Sequence, residues 1–210
     1  MIRVHRIPSA VTGFFPDLIC RLPQGDSPTV YLTFDDGPMP GPTDFVLDQL
    51  KANEAQATFF CIGNNIRKHP QTFQRILDEG HSVGNHTDQH VDGWRVSIDQ
   101  YLWQIKECES AMNGANTGRL FRPPFGKLPL TYKKYLSGMK IVLWDVLTYD
   151  FEAGLPVQQT LEKIKKLTRS GSIIVFHDSL KAKDNVLYAL PRVLNHYTEL
   201  GYEFKSIPQL

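Results

Sequence analysis

From Val30 to the C-terminus the chain alternates β-rich runs with helix-spaced segments, and that order constrains its fold more than any single motif. The β-rich runs are 30–34, 57–62, 81–85, 120–121, 140–146, 172–176 and 202–207. Between them lie 43–52, 70–79, 98–112, 130–136, 157–167 and 186–200. There apolar side chains recur at helical spacing, as at Ile98, Tyr101, Leu102, Ile105, Cys108 and Met112, which lays one apolar stripe along a helix. Thr43 or a neighbour is placed to cap the first helix, Pro70 opens the second and Gly80 closes it. Strands separated by helices run parallel, because a parallel pair needs a crossover and the helix provides it. About seven such units, with no linker, repeat or low-complexity tract, predict one α/β domain: a distorted, incomplete (β/α)7 barrel with a groove on its open side. An open doubly wound sheet is the alternative. The domain is expected over 29–208, with residues 1–28 as an N-terminal arm packed on it.

The bulk numbers exclude several function classes. Lys and Arg number 23 and Asp and Glu 22, a net charge of +1, so no general field draws the chain to nucleic acid or an anionic membrane. Lys163, Lys165, Lys166 and Arg169 are read as one solvated helix face. Cys20, Cys61 and Cys108 are odd in number and far apart, which supports neither a disulfide framework nor a cysteine zinc site. Cys61, inside an apolar run, is expected to be a buried thiol. No stretch is long and apolar enough to span a bilayer. Arg3 and Arg6 precede a stretch broken by Pro8, Pro16 and Asp17, with no clear small-residue cleavage site. It is read as part of the protein rather than a signal peptide, which favours the cytoplasm over export.

Chemistry-bearing residues fall where the predicted strands end, the position at which α/β barrels carry their active sites. Asp35 and Asp36 end the first run and Gly37-Pro38 then turns the chain. The kink lets both carboxylates reach one site, although Asp-Gly is also a common turn pair. His86 and His90 have a spacing used in zinc sites, and on a helical turn both rings leave the same face. His177 follows a buried run and needs a polar partner; Asp150 is a candidate, while Asp178 points away or caps the next turn. Arg122 precedes two prolines and is placed to clamp a carboxylate, Asp35 for one. Two histidines and a carboxylate also describe a non-haem iron oxygenase, but the βα order argues against its usual scaffold. A glycosidase using Asp35 and Asp36 leaves the histidine pair unexplained.

Taken in order, these segments resemble the polysaccharide deacetylases, the NodB homology domain of carbohydrate esterase family 4, from about Val30 to Ile207. Thr33-Phe34-Asp35-Asp36-Gly37-Pro38 is similar to the first motif, which implies Asp35 as catalytic base and Asp36 as metal ligand. His86-Thr87-Asp88-Gln89-His90 is similar to the second, implying two more ligands. Arg122-Pro123-Pro124-Phe125 is similar to the third, implying that Arg122 braces the base and the Phe125 N–H faces the oxyanion. Asp150-Phe151 and Val175-Phe176-His177 stand where the family has Asp-Trp and Leu-x-His, implying His177 as general acid supported by Asp150. Trp144, Phe125, Phe151 and Val175 are expected as pocket walls. The departures, Leu147 for Asp, Phe151 for Trp, Phe125 for Tyr and Val175 for Leu, bear on substrate more than on reaction. The resemblance implies one divalent metal, zinc before cobalt or nickel. It implies hydrolysis of N-acetyl groups on an amino-sugar oligomer or polymer of chitin or peptidoglycan type, releasing acetate. Cyclic amides on the same metal site are the alternative substrates, and a non-catalytic sugar-binding domain is a third reading.

Overall fold

The computed structural model describes residues 5–6 and 18–208; most of the expected arm, residues 1–4 and 7–17, lies outside them. The strands are β1 (Leu18–Ile19), β2 (Thr29–Asp35), β3 (Ala57–Cys61), β4 (Ser82–Asn85), β5 (Leu120–Phe121), β6 (Lys140–Val142), β7 (Val146–Leu147), β8 (Ile173–His177) and β9 (Glu203–Phe204). The helices are α1 (Pro42–Ala52), α2 (Gly63–Lys68), α3 (Pro70–Asp78), α4 (Ile98–Met112), α5 (Val157–Leu167) and α6 (Lys183–Glu199). Neighbouring strands follow the order β1-β6-β5-β4-β3-β2-β8-β7, and every ladder between them is parallel. Eight parallel strands curl into a distorted, incomplete β/α barrel. β9 stands off this path, pairing with Thr29 and Val30 where β2 begins.

The period-two pleat sorts the chain into layers. Val30, Leu32 and Phe34 of β2 and Ile174 and Phe176 of β8 face the helices and join Val46, Leu50, Val186 and Leu190 in the main core. Phe34 stacks between Phe59 and Phe176, at 5.1 and 6.0 Å between ring centres. The opposite parity points into the barrel. Phe60, Leu120, Val142, Ile173 and Ile207 fill part of it, with Tyr31 against them. Thr33, Asp35, Val175 and His177 therefore share the inner face, above that plug.

Several elements differ from the sequence expectation. The run 140–146 is one passage of chain but two strands. β6 pairs with β1 and β5, the chain then shifts, and β7 pairs with β8. At the break Leu143 N–H donates to Ile19 O (2.8 Å), and Asp145 N–H to Ile173 O (3.0 Å). The two ends of the sheet are thus tied by three residues, 143–145. Helix α2 was not expected. It has six residues and starts at Gly63, a residue that reads as a stop; a Cβ there would lie 2.5 Å from Asp88 Oδ1 and 2.8 Å from Cys108 Cα. The helix expected over 130–136 is a 3-10 turn, Leu130–Tyr135. Thr43 does not cap α1; Gly41 is the N-cap and its N–H donates to Asp44 Oδ2 (2.9 Å). All three cysteines are buried and free. Near the N-terminus, Leu147 N–H donates to His5 O (2.8 Å) and Arg6 pairs with Asp145 (2.9 Å), so this part of the chain lies against β7.

Candidate active site

The inner-face parity and the strand register place Asp35 and His177 side by side at the carboxyl end of the barrel. Arg122, fully buried, reaches the same place from the end of β5. Its Nη1 donates to Asp35 Oδ1 (2.6 Å) and Thr33 Oγ1 (2.8 Å). Nε and Nη2 donate to the carbonyls of Val142 (3.2 Å) and Leu143 (2.9 Å), where the ladder is broken, and the guanidinium lies 4.0 Å from the Phe60 ring centre. Burial pushes the Asp35 carboxyl up, but Arg122, then His86 and His177, outweigh it and hold it below the ordinary carboxylate range. Asp35 is therefore an ionised carboxylate held in one orientation by Arg122.

Asp36 leaves the strand in the left-handed region (φ 81°), which swings its carboxylate toward the same cavity. Asn65 holds its carbonyl (2.7 Å). The buried Asp178 holds the following turn: Oδ1 accepts from Gly37 N–H (2.9 Å) and Oδ2 from the Thr43 hydroxyl (2.6 Å). Gly37 is required there, because a Cβ would run into the Asp178 carboxylate. Burial pushes the Asp178 carboxyl up to about 7.

His86 and His90 meet without a helix. Asn85 Oδ1 accepts from Thr87 N–H (2.9 Å), Thr87 and His90 adopt φ of 64° and 53°, and the two ring centres lie 5.0 Å apart. His86 Nδ1 bonds the Arg122 carbonyl (2.7 Å), which assigns Nδ1 as donor and leaves the Nε2 lone pair facing Asp36 Oδ1 at 3.8 Å. Burial, against the pull of Asp35, lowers the His86 pKa to about 4, so the ring is neutral, as a ligand must be. His90 Nε2 is 3.4 Å from the same oxygen. One ligand atom from each of Asp36, His86 and His90 lies within 4.8 Å of the others. Asp36 Oδ1 is buried with no hydrogen-bond partner, an orphan that a cation would satisfy. Two imidazole nitrogens and one carboxylate oxygen are a donor set that suits zinc with an open position.

Across the cavity His177 Nδ1 bonds Asp150 Oδ1 (2.7 Å), and the His177 backbone N–H donates to Oδ2 (2.7 Å). Thr148 Oγ1 donates to Oδ1 (2.9 Å), and Asn185 holds the Asp150 carbonyl (2.6 Å). Burial opposes charge on His177, but Asp150, then Asp36 and Asp35, overcome it and raise the pKa to about 9. The ring is thus a cation at neutral pH.

These groups share one cavity of about 670 Å³, whose walls include all four expected residues, Phe125, Trp144, Phe151 and Val175. Phe125 has φ 60° and an exposed ring, set edge-on to His90 at 4.6 Å. The cavity is also lined by Pro123, Gly126, Leu147, Tyr149 and Lys181. A Cβ at Gly126 would lie 2.5 Å from Trp144, so this glycine lets the 124–126 turn close over the indole. Tyr149 (φ 60°) and Lys181 carry no sequence signal beyond nearness to Asp150 and His177.

The family model described as polysaccharide deacetylase matches residues 23–144. The chain is 32% identical over 186 residues to a peptidoglycan-N-acetylglucosamine deacetylase of Bacillus cereus, covering 86% of this chain and 67% of that protein. It is 30% identical over 219 residues to a chitooligosaccharide deacetylase of Bradyrhizobium, covering 95% and 100%. With the peptidoglycan-N-acetylmuramic acid deacetylase PdaC of Bacillus subtilis it shares 31% over 183 residues and 86% of this chain, but spans 38% of that relative's length. Among solved structures, the Bc1960 peptidoglycan N-acetylglucosamine deacetylase superposes with a TM-score of 0.86 at 29% identity, covering 96% of this chain and 95% of that one. The family 4 carbohydrate esterase of Streptomyces lividans, in complex with acetate, gives 0.77 at 29%, covering 87% and 94%.

Proposed function

The chain belongs to the polysaccharide deacetylase family, and we propose that within it this protein is a metal-dependent hydrolase that removes N-acetyl groups from amino-sugar glycans and releases acetate. One observation carries this reading: an anionic carboxylate, Asp35, and a cationic imidazole, His177, are register partners beside an Asp-His-His set whose Asp36 Oδ1 has no hydrogen-bond partner. Amide hydrolysis needs a proton taken from water and a proton given to nitrogen, and glycan binding alone needs neither.

Asp36 through Oδ1 and His86 and His90 through Nε2 would hold one divalent ion, zinc by donor type. When bound, such an ion polarises the acetyl carbonyl and acidifies water. Asp35 accepts the proton of the attacking water, and Arg122 keeps that carboxylate ionised and aimed. The Phe125 N–H is assigned to the developing oxyanion. His177, held charged by Asp150, donates its Nε2 proton as the C–N bond breaks, so that water and amide become acetate and free amine. The apolar walls accept the acetyl methyl and one face of the sugar.

The test is to incubate zinc-loaded protein with N-acetylglucosamine oligomers and quantify acetate and free amine together. One new amine per acetate is expected, and His177→Ala should bind zinc as the wild type does and lose most turnover. Hydrolysis of cyclic amides with no acetate from any glycan would overturn the substrate assignment and keep the metal site.

A further inference from the structure

His5 and Arg6 precede the segment that the family model matches, and the proposed chemistry does not use them. His5 is nevertheless buried, and its polar atoms are held. β7 ends the strand order, and its outer edge takes residue 5 in place of a further strand. Leu147 N–H donates to His5 O (2.8 Å), and the His5 ring returns a bond from Nδ1 to Leu147 O (2.9 Å). That bond assigns the ring proton to Nδ1, so Nε2 is an acceptor, and the Lys163 ammonium donates to it at 3.1 Å. Arg6 fixes the next residue through Asp145 (2.9 Å) and the Leu167 carbonyl.

The His5 ring meets Tyr149 edge-on, with 4.8 Å between centres and 73° between planes. From there the contacts run inward. Tyr149 meets Phe151 at 5.7 Å, and Phe151 meets His177 edge-on at 4.8 Å. Four rings thus connect residue 5 to the imidazole assigned to the leaving nitrogen, and the middle two line the catalytic cavity. Tyr149 needs support from outside. Its backbone sits in the left-handed region (φ 60°), an unfavourable place for a non-glycine residue that persists only where the surroundings fix it.

We propose that His5 is a positioning residue for the acid-side wall: it sets Tyr149, and through Tyr149 the Phe151 ring, against which the sugar of the leaving amine packs. This rests on the deacetylase reading above and adds to it a residue that precedes every motif of the site. An apolar wall selects a substrate only if its rings stay in place, since a displacement of about 1 Å is enough to cost rate. The imidazole meets all the demands of the position: a flat ring for Tyr149, a donor for the β7 edge and an acceptor for Lys163.

The test compares zinc-loaded wild type with His5→Ala, His5→Phe, Tyr149→Ala and the double variant His5→Ala/Tyr149→Ala on N-acetylglucosamine oligomers. In His5→Ala, kcat/KM should fall roughly three- to tenfold, mainly through KM. Zinc affinity by calorimetry should stay at the wild-type value, because Asp36, His86 and His90 lie across the cavity. His5→Phe keeps a ring against Tyr149 and should recover most of the KM, even though both polar contacts of the imidazole are gone. In the Tyr149→Ala background, removing His5 should have no further effect, as expected of a residue that acts through Tyr149. Equal losses in His5→Ala and His5→Phe, a loss that persists in the Tyr149→Ala background, or a fall in zinc affinity that matches the fall in turnover would each reduce His5 to a stabiliser of the fold and overturn the proposal. NMR signals of the Phe151 and His177 rings give a reading that needs no substrate. They should shift in His5→Ala and return in His5→Phe; unmoved signals overturn the positioning role. Absence of acetate release by zinc-loaded wild type overturns the deacetylase reading instead, and leaves the NMR comparison to decide on His5.

Discussion

Arg122 shows how one side chain serves both fold and site. Its guanidinium neutralises Asp35, and its remaining donors satisfy the carbonyls of Val142 and Leu143 where the ladder breaks. Removing it leaves a buried carboxylate uncompensated and two carbonyls unpaired. Arg122→Ala should therefore lose about 3–5 kcal/mol of stability by urea unfolding, together with its turnover; a loss under 1 kcal/mol would mean that water replaces the guanidinium. His177 gives a prediction in pH. Its charged form is favoured by the fold, so the stabilisation it brings is complete below the ordinary value of 6.5 and is lost as pH rises to about 9. In metal-free protein, an NMR titration should place its midpoint near 9, and Asp150→Asn should move that midpoint down, with the alkaline limb of turnover following. An unmoved midpoint would separate Asp150 from the acid. At this scale much was legible: a buried strand ending in a charged residue demands a partner, and Arg122 for Asp35 and Asp150 for His177 were available. Asp178 was not legible as a support for Asp36, because no sequence pattern tells which way a residue beside a strand-end histidine turns.

The elements explain why the site residues converge. Strand parity was readable, since Tyr31, Thr33 and Asp35 alternate with Val30, Leu32 and Phe34. The turns were not. His86 and His90 have helical spacing, yet two left-handed residues and the Asn85 side chain bring them together. The 140–146 run looks like one strand because both halves are extended and apolar; what divides it is a change of partner, which is a tertiary event. The β2–α1 turn gives a third prediction. With Asp178 replaced by Ala, Gly37 N–H and the Thr43 hydroxyl lose their acceptor, and the turn presenting Asp36 loosens. Zinc affinity by calorimetry should fall about 10- to 100-fold, the usual effect of removing a group that orients a ligand. Asp178→Asn should keep most of the affinity, because the Asp178 carboxyl, pushed up to about 7, already spends much of its time neutral. Equal affinity in wild type and Asp178→Ala would confine Asp178 to folding.

At the scale of the whole molecule, the barrel separates two tasks by depth. Its lower interior is an apolar plug around Phe60, Val142 and Ile173, and its upper end holds ionisable groups on the same face. The tie at 143–145 fixes the sheet edges, so strand ends far apart in sequence hold one geometry. The β/α order in the sequence was enough to predict the barrel, while its eight-strand path and the position of β9 depended on pairings that no local pattern encodes. The most direct measurement is a zinc titration of chelated protein, following bound metal and acetate release from N-acetylglucosamine oligomers in the same samples. Acetate release should be absent without metal and rise in proportion to zinc up to one equivalent, and Asp36→Ala should abolish both binding and release. Full turnover by the chelated protein, or turnover that survives in Asp36→Ala, would contradict a hydrolytic site built on Asp36, His86 and His90.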